Sequence, residues 1–247
     1  MLPELRFVVG ATQVVLSLHA VAIAVGVAAG GWLAARRAAD PALALVAAAT
    51  VTVVALVAAH ALFALVHGAA PGGLASIGGI AGGLATTWLV ARIARRPAAP
   101  LFDTLVPAGL LALAIGRVGC FLAGCCYGRQ TTLPWGVVFA DVGPAPRHPL
   151  QLYSAAVDLA LVALLPARAS VPGFVACRAL VGFGVVRAAL ELLRDPGAAD
   201  PLLGATITLA QAAALALAVG AAAAARRLRP PAAIDYASAR RIPPHGR

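Results

Sequence analysis

The chain has 247 residues, of which 62% are hydrophobic and 11% charged, with a mean hydropathy of +0.92 and a formal net charge of +10. A soluble fold with so apolar a surface would aggregate, so the composition excludes an ordinary globular domain and indicates an integral membrane protein. The length holds about seven spans of roughly 20 residues with short connections, and leaves little for a separate soluble domain.

Taken in chain order, apolar spans are predicted at Val8–Leu33, Pro41–Val66, Gly72–Val90, Leu101–Ile115, Leu152–Leu165, Pro172–Leu193 and Leu202–Ala225. The expected fold class is an all-α, polytopic protein with one transmembrane domain over residues 1–225. The first span is long and has no small-residue cleavage pattern behind it, so it reads as a retained helix rather than a cleaved signal peptide. Residues 226–247, rich in arginine and proline, read as a disordered basic tail that touches anionic headgroups.

All 19 basic residues are arginine. The count fits a compositional bias, and it also fits bidentate phosphate binding. The arginines cluster beside apolar spans rather than along one polar face, which argues against nucleic acid and for membrane lipid as a partner. Arg36 and Arg37, Arg92, Arg95 and Arg96, Arg168, and Arg226, Arg227 and Arg229 follow spans one, three, five and seven. By the positive-inside rule these ends are cytoplasmic, with the N-terminus outside and the C-terminus inside. Arg117, Arg129, Arg147 and Arg194 then lie toward the outer face.

An arginine at the centre of a membrane helix costs about 2.5–3.5 kcal/mol on insertion scales, so arginines beside apolar spans usually line a polar cavity or meet an anion. Gly116 to Arg129 and Arg147 to Tyr153 bring three arginines together in sequence. Arg187, Glu191 and Arg194 stand at i, i+4 and i+7 and share one helix face over a rise of roughly 10 Å. That face suits either a salt-bridge ladder or an anion site. Gly72, Gly73, Gly78, Gly79, Gly82 and Gly83 form a small-residue face, which suits close helix packing or a helix break offering backbone N–H groups to phosphate.

The run from Gly116 and Arg117 through Tyr127, Gly128 and Arg129, then Leu133-Pro134-Trp135-Gly136, then Arg147-His148-Pro149 with Gln151-Leu152-Tyr153, resembles the signature of the bacterial prolipoprotein diacylglyceryl transferase family. The resemblance extends to Gly73–Gly79, Asp103, and Arg187, Glu191, Arg194 and Pro196, and so covers most of the chain. It implies a multi-pass enzyme of the bacterial inner membrane that needs no cofactor. Such an enzyme moves the diacylglyceryl group of phosphatidylglycerol onto the lipobox cysteine thiol of a prolipoprotein and releases glycerol phosphate. It implies Arg117, Arg187 and His148 as catalytic residues. Arg129, Arg147, Gly128, Tyr153, Gln151, Glu191, Arg194, Gly78, Gly79, Cys120 and Cys125 are implied as substrate-binding residues. Arginine suits the chemistry, because its fork binds phosphate and its charge favours a nearby thiolate.

Several positions depart from the family pattern. Ile77 stands where the family commonly has a histidine, Cys120 replaces an asparagine, Cys125 a glutamate, Ser154 a glutamate and Phe183 a tyrosine. Three readings therefore stay open: the transferase itself, a paralogue acting on another glycerolipid or thiol, and an inactive lipid-binding relative. A transporter would show paired broken helices, and only one glycine-rich segment is present. Cys120, Cys125 and Cys126 fall on the expected outer side, where a disulfide or a covalent role for Cys125 can be drawn. Their spacing lacks CxxC pairs and no neighbouring histidine cluster accompanies it, so no metal site is expected. Cys177 reads as a small core residue and His60 and His67 as structural or interfacial, while the resemblance implies His19 as a cavity-lining residue of the first span.

Overall fold

The computed structural model describes residues 4–9, 12–67, 75–195, 201–203 and 207–228. They form mainly helix: α1 (Leu18–Arg37), α2 (Pro41–His67), α3 (Ser76–Ile93), α4 (Ala98–Leu122), α5 (Leu150–Leu164), α6 (Phe174–Glu191) and α7 (Leu209–Arg227). Two short antiparallel pairs accompany them, β1 (Glu4–Val9) with β2 (Thr12–Ser17) and β3 (Pro201–Leu203) with β4 (Ile207–Thr208). The helices fall in the seven predicted segments in order, so the chain is mainly helical as expected, and the two short strand pairs shift where the first and last helices start.

Both corrections fall at helix starts. The first helix does not begin near Val8: the β-branched run around Val14 and Val15 pairs with Leu5–Val9, and Ser17 then caps α1 by accepting from the Ala20 N–H (3.4 Å). The last helix begins at Leu209 rather than Leu202, with the Thr208 hydroxyl accepting from the Gln211 N–H (3.0 Å). In contrast α4 outruns its predicted span at both ends and carries Arg117 and Cys120 in its last turns. Gly72, Gly73, Pro196 and the tail beyond Leu228 lie outside the described residues.

Among the described residues, four helices, α1, α2, α4 and α7, are long and apolar enough to cross a membrane, and α5 is a shorter apolar helix. α6 also carries Arg178, Arg187 and Glu191. Large apolar side chains face outward, among them Leu65, Ile93, Leu164 and Val219, as a lipid-facing surface requires. Thr50, Thr52, Thr87 and Thr104 each return their hydroxyl to the carbonyl four residues earlier, which satisfies a polar group inside an apolar helix.

Helix pairing rests on small residues, as expected where lipid removes the hydrophobic drive between helices. α1 lies along α4 so closely that a Cβ on Gly26 or Gly30 would stand 2.7 Å from the Ala112 or Ala108 carbonyl oxygen. α2 meets α3 through Ala55, Ala58 and Ala59 against Gly78, Gly79 and Gly82, and α6 meets α7 at Gly184 against Ala214 and Ala218. Asp103 of α4 anchors the start of α6, accepting from Gly173 N–H (Oδ2, 2.6 Å) and Ala176 N–H (Oδ1, 2.8 Å). Gly173, at φ +89°, supplies the left-handed turn this anchor requires.

Candidate active site

The segment between α4 and α5 is folded back over the end of α6. Its apolar pin is Phe139, 1% exposed, which sits between Phe121 (6.2 Å) and Tyr127 (5.3 Å). Backbone bonds stitch it down: Gly128 N–H to the His148 carbonyl (2.9 Å), Arg129 N–H to the Leu193 carbonyl (2.9 Å), and Val137 and Arg147 to each other (2.9 Å each way). Gly128 marks a close crossing, since a Cβ there would lie 2.7 Å from the Leu193 carbonyl oxygen and 2.8 Å from His148 Cβ.

Between α4, α5 and α6 lies a partly open cavity of about 10 Å³ lined by Arg117, Ser154, Asp158, Phe183 and Arg187, room for roughly one water. Arg117 Nε and Asp158 Oδ2 are buried there without a hydrogen-bond partner, and Asp158 is 3% exposed. A buried, unpaired guanidinium N–H and carboxylate oxygen are costly, and such cost is characteristic of sites completed by a ligand. Arg187 Nη1 lies 2.7 Å from Glu191 Oε2, a charge contact that leaves Oε2 without a well-directed hydrogen bond. Arg194 Nε stands 3.9 Å from the other oxygen of Glu191. Three guanidinium groups thus share one buried carboxylate and the neighbouring Asp158, leaving the cluster with excess positive charge.

The predicted site residues divide. Arg117 and Arg187 line the cavity, with Glu191 and Arg194 beside them. Cys120 and Cys125 lie near it, with Cys126 added: the three sulfur atoms fall within 4.8 Å of one another, and all four cysteines of the chain are free thiols rather than disulfides. The neighbouring Cys120 and Cys125 thiols, aided by Arg117 and Arg194, hold the Cys126 thiol below its ordinary pKa, while Cys120 and Cys126 push the Cys125 thiol up. Gln151, fully buried, donates through Nε2 to the Cys125 carbonyl and so supports this turn.

Other predicted residues are engaged elsewhere. The Arg147 guanidinium pairs with Asp195 and lies 5.0 Å over the Tyr127 ring, which makes it a strut of the loop. His148 Nδ1 lies 3.2 Å from the Tyr153 hydroxyl, which also accepts from Trp135 Nε1 (2.8 Å). Arg129 is exposed, and Gly78 and Gly79 are taken up by the seam between α2 and α3. Asp158 was not predicted. Its signal was available, since an acid amid the apolar residues of a membrane helix is a functional candidate by its cost alone.

The family model described as prolipoprotein diacylglyceryl transferase matches residues 7–226. The chain belongs to the prolipoprotein diacylglyceryl transferase family. It is similar to proteins named phosphatidylglycerol–prolipoprotein diacylglyceryl transferase from several bacteria. It is 38% identical to that of Coxiella burnetii (strain Dugway 5J108-111) over 137 residues, 54% of this chain and 51% of the relative. It is 38% identical to that of Nitratidesulfovibrio vulgaris over 148 residues, 58% and 53%. It is 39% identical to that of Cupriavidus pinatubonensis over 145 residues, 57% and 52%. The chain spans about half the length of the curated relatives it matches. The arginine cavity and the loop between α4 and α5 both fall inside the matched range.

Proposed function

We propose that the chain transfers the diacylglyceryl group of phosphatidylglycerol to the lipobox cysteine thiol of a prolipoprotein and releases glycerol phosphate. The observation that carries this reading is the cavity in which Arg117, Arg187 and Asp158 converge, with Arg117 Nε and Asp158 Oδ2 left without hydrogen-bond partners. The names of the relatives support the two substrates. Arg117 and Arg187 grip the phosphate, Glu191 holds Arg187 in place, and Arg194 adds to the positive field. The lipobox sulfur attacks the glycerol carbon that bears the phosphate ester, a C–S bond forms, and the C–O bond breaks with its electron pair leaving on the phosphate oxygen. The arginines stabilise that charge as it develops. Asp158 accepts the thiol proton in place of the histidine that Ile77 replaces. Gln151, Gly128, Arg147, His148 and Tyr153 act through the loop, and Arg129 through its outer surface.

A cavity of about 10 Å³ is closed to a phospholipid, so α5 and α6 part as the headgroup enters. The proposal places seven spans in the bacterial inner membrane, with the N-terminus outside and a cytoplasmic basic tail from 226 to 247. Arg36 over Trp32 (5.0 Å), Arg92 over Trp88 (5.4 Å) and Arg178 over Phe174 (5.4 Å) support one cytoplasmic interface at those helix ends. Purified protein incubated with phosphatidylglycerol and a lipobox peptide is expected to add a diacylglyceryl mass to the peptide and release glycerol phosphate. Lipid binding without turnover would overturn the proposal in favour of a non-catalytic relative.

A further inference from the structure

Cys120 lies in the last turn of α4, and the turn that follows the helix has positive φ at Gly124 (73°) and at Cys126 (60°). A cysteine in the left-handed region is uncommon and costs about 1–3 kcal/mol, so the surroundings hold it there. The turn gathers the three sulfur atoms within 4.8 Å of one another, and the Cys125 thiol donates to the Cys120 carbonyl (3.5 Å). The sequence spacing alone gave no fourth ligand. Packing of α1 on α4 supplies one, because His19 Nε2 lies 3.8 Å from Cys120 Sγ, 101 residues away in sequence.

We propose that Cys120, Cys125, Cys126 and His19 form a site for a thiophilic divalent cation, with Zn2+ as its natural match. A tetrahedral zinc with bonds of about 2.3 Å to sulfur holds its thiolates about 3.8 Å apart, and three thiolates with one imidazole is a common closed set. The three sulfur atoms already stand within 4.8 Å of one another, and His19, 3.8 Å from Cys120 Sγ, swings toward Cys125 and Cys126 to complete the set. Binding releases the protons that the thiols still carry, including the one Cys125 gives to the Cys120 carbonyl, and takes an imidazole lone pair at His19 Nε2. Three thiolates around Zn2+ leave one net negative charge, which Arg117 and Arg194, whose fields reach Cys126, offset. Gln151, bonded to the Cys125 carbonyl, steadies the turn from outside the ligand set.

The test uses the full chain, purified in detergent with reductant and without chelator, then desalted and given Zn2+ or Co2+. It is expected to retain about one zinc per chain by elemental mass spectrometry, and with Co2+ to show a thiolate-to-metal charge-transfer band. Cys120→Ser, Cys125→Ser and Cys126→Ser each lose one thiolate's share of that band. His19→Asn shifts the ligand-field bands, and Cys177→Ser leaves the spectrum unchanged. Should a serine variant fail to accumulate, alkylation mapping on the wild-type chain decides: zinc is expected to protect residues 120, 125 and 126 while Cys177 still reacts. No zinc uptake by the reduced protein, no thiolate band with Co2+, or equal alkylation with and without zinc would each overturn the site.

Discussion

Glu191 sets the charge balance of the cavity, because it is 6% exposed and lies between Arg187 and Arg194. Removing one partner of a buried pair leaves an uncompensated charge, so Glu191→Ala is expected to cost about 3–5 kcal/mol, read as a lower unfolding midpoint in detergent. Arg187→Lys keeps the charge but loses the planar fork that binds phosphate bidentately. It is expected to lower transfer at least about tenfold, a loss of 1.4 kcal/mol or more in transition-state binding, with little change in the midpoint. Equal activity in the two proteins would rule out a bidentate grip at this position. The spacing of Arg187, Glu191 and Arg194 already placed them on one face in the sequence. Arg147 and Asp158 were not sortable there: which guanidinium is neutralised depends on Asp195, and which acid is orphaned depends on how α4, α5 and α6 meet.

Elements are placed by a few contacts that sequence patterns mark unevenly. The apolar periods were long enough to locate all seven helices, but not the two strand pairs, where the β-branched Val14-Val15 and Ile207-Thr208 pair locally instead of extending the helix. The small-residue seams were legible as packing faces, and their partners were not. A Cβ at Gly30 would meet the Ala108 carbonyl oxygen at 2.7 Å, so Gly30→Val is expected to push α1 off α4 and to lower the yield of folded protein in the membrane. Gly31, whose added Cβ meets only the Leu45 side chain at 3.7 Å, serves as the control, and Gly31→Ala is expected to change little. Asp103→Ala removes the cap of α6, which carries Arg187. The expected loss is about 0.5–2 kcal/mol of stability and a disproportionate fall in transfer, checked by measuring both on one preparation.

For the whole molecule, composition alone excluded a soluble fold, and the helical bundle with its apolar exterior agrees. The arginine distribution predicts an orientation by the positive-inside rule. Reporter fusions test it: a fusion after Arg96 or Arg168 is expected to behave as cytoplasmic, and one after Gly143 as external. The reverse pattern would invert the topology and move the arginine cavity to the opposite half of the bilayer. The central claim is that this cavity binds the phosphate of phosphatidylglycerol during thiol alkylation. Its most direct test is the mass of a lipobox peptide after incubation with phosphatidylglycerol and the wild-type chain, beside Arg117→Ala, Arg187→Ala and Asp158→Asn, each first shown to be folded in the membrane. The diacylglyceryl mass gain is expected with wild type and is expected to fall at least about a hundredfold in both arginine variants. Full transfer by folded Arg117→Ala and Arg187→Ala would contradict the account.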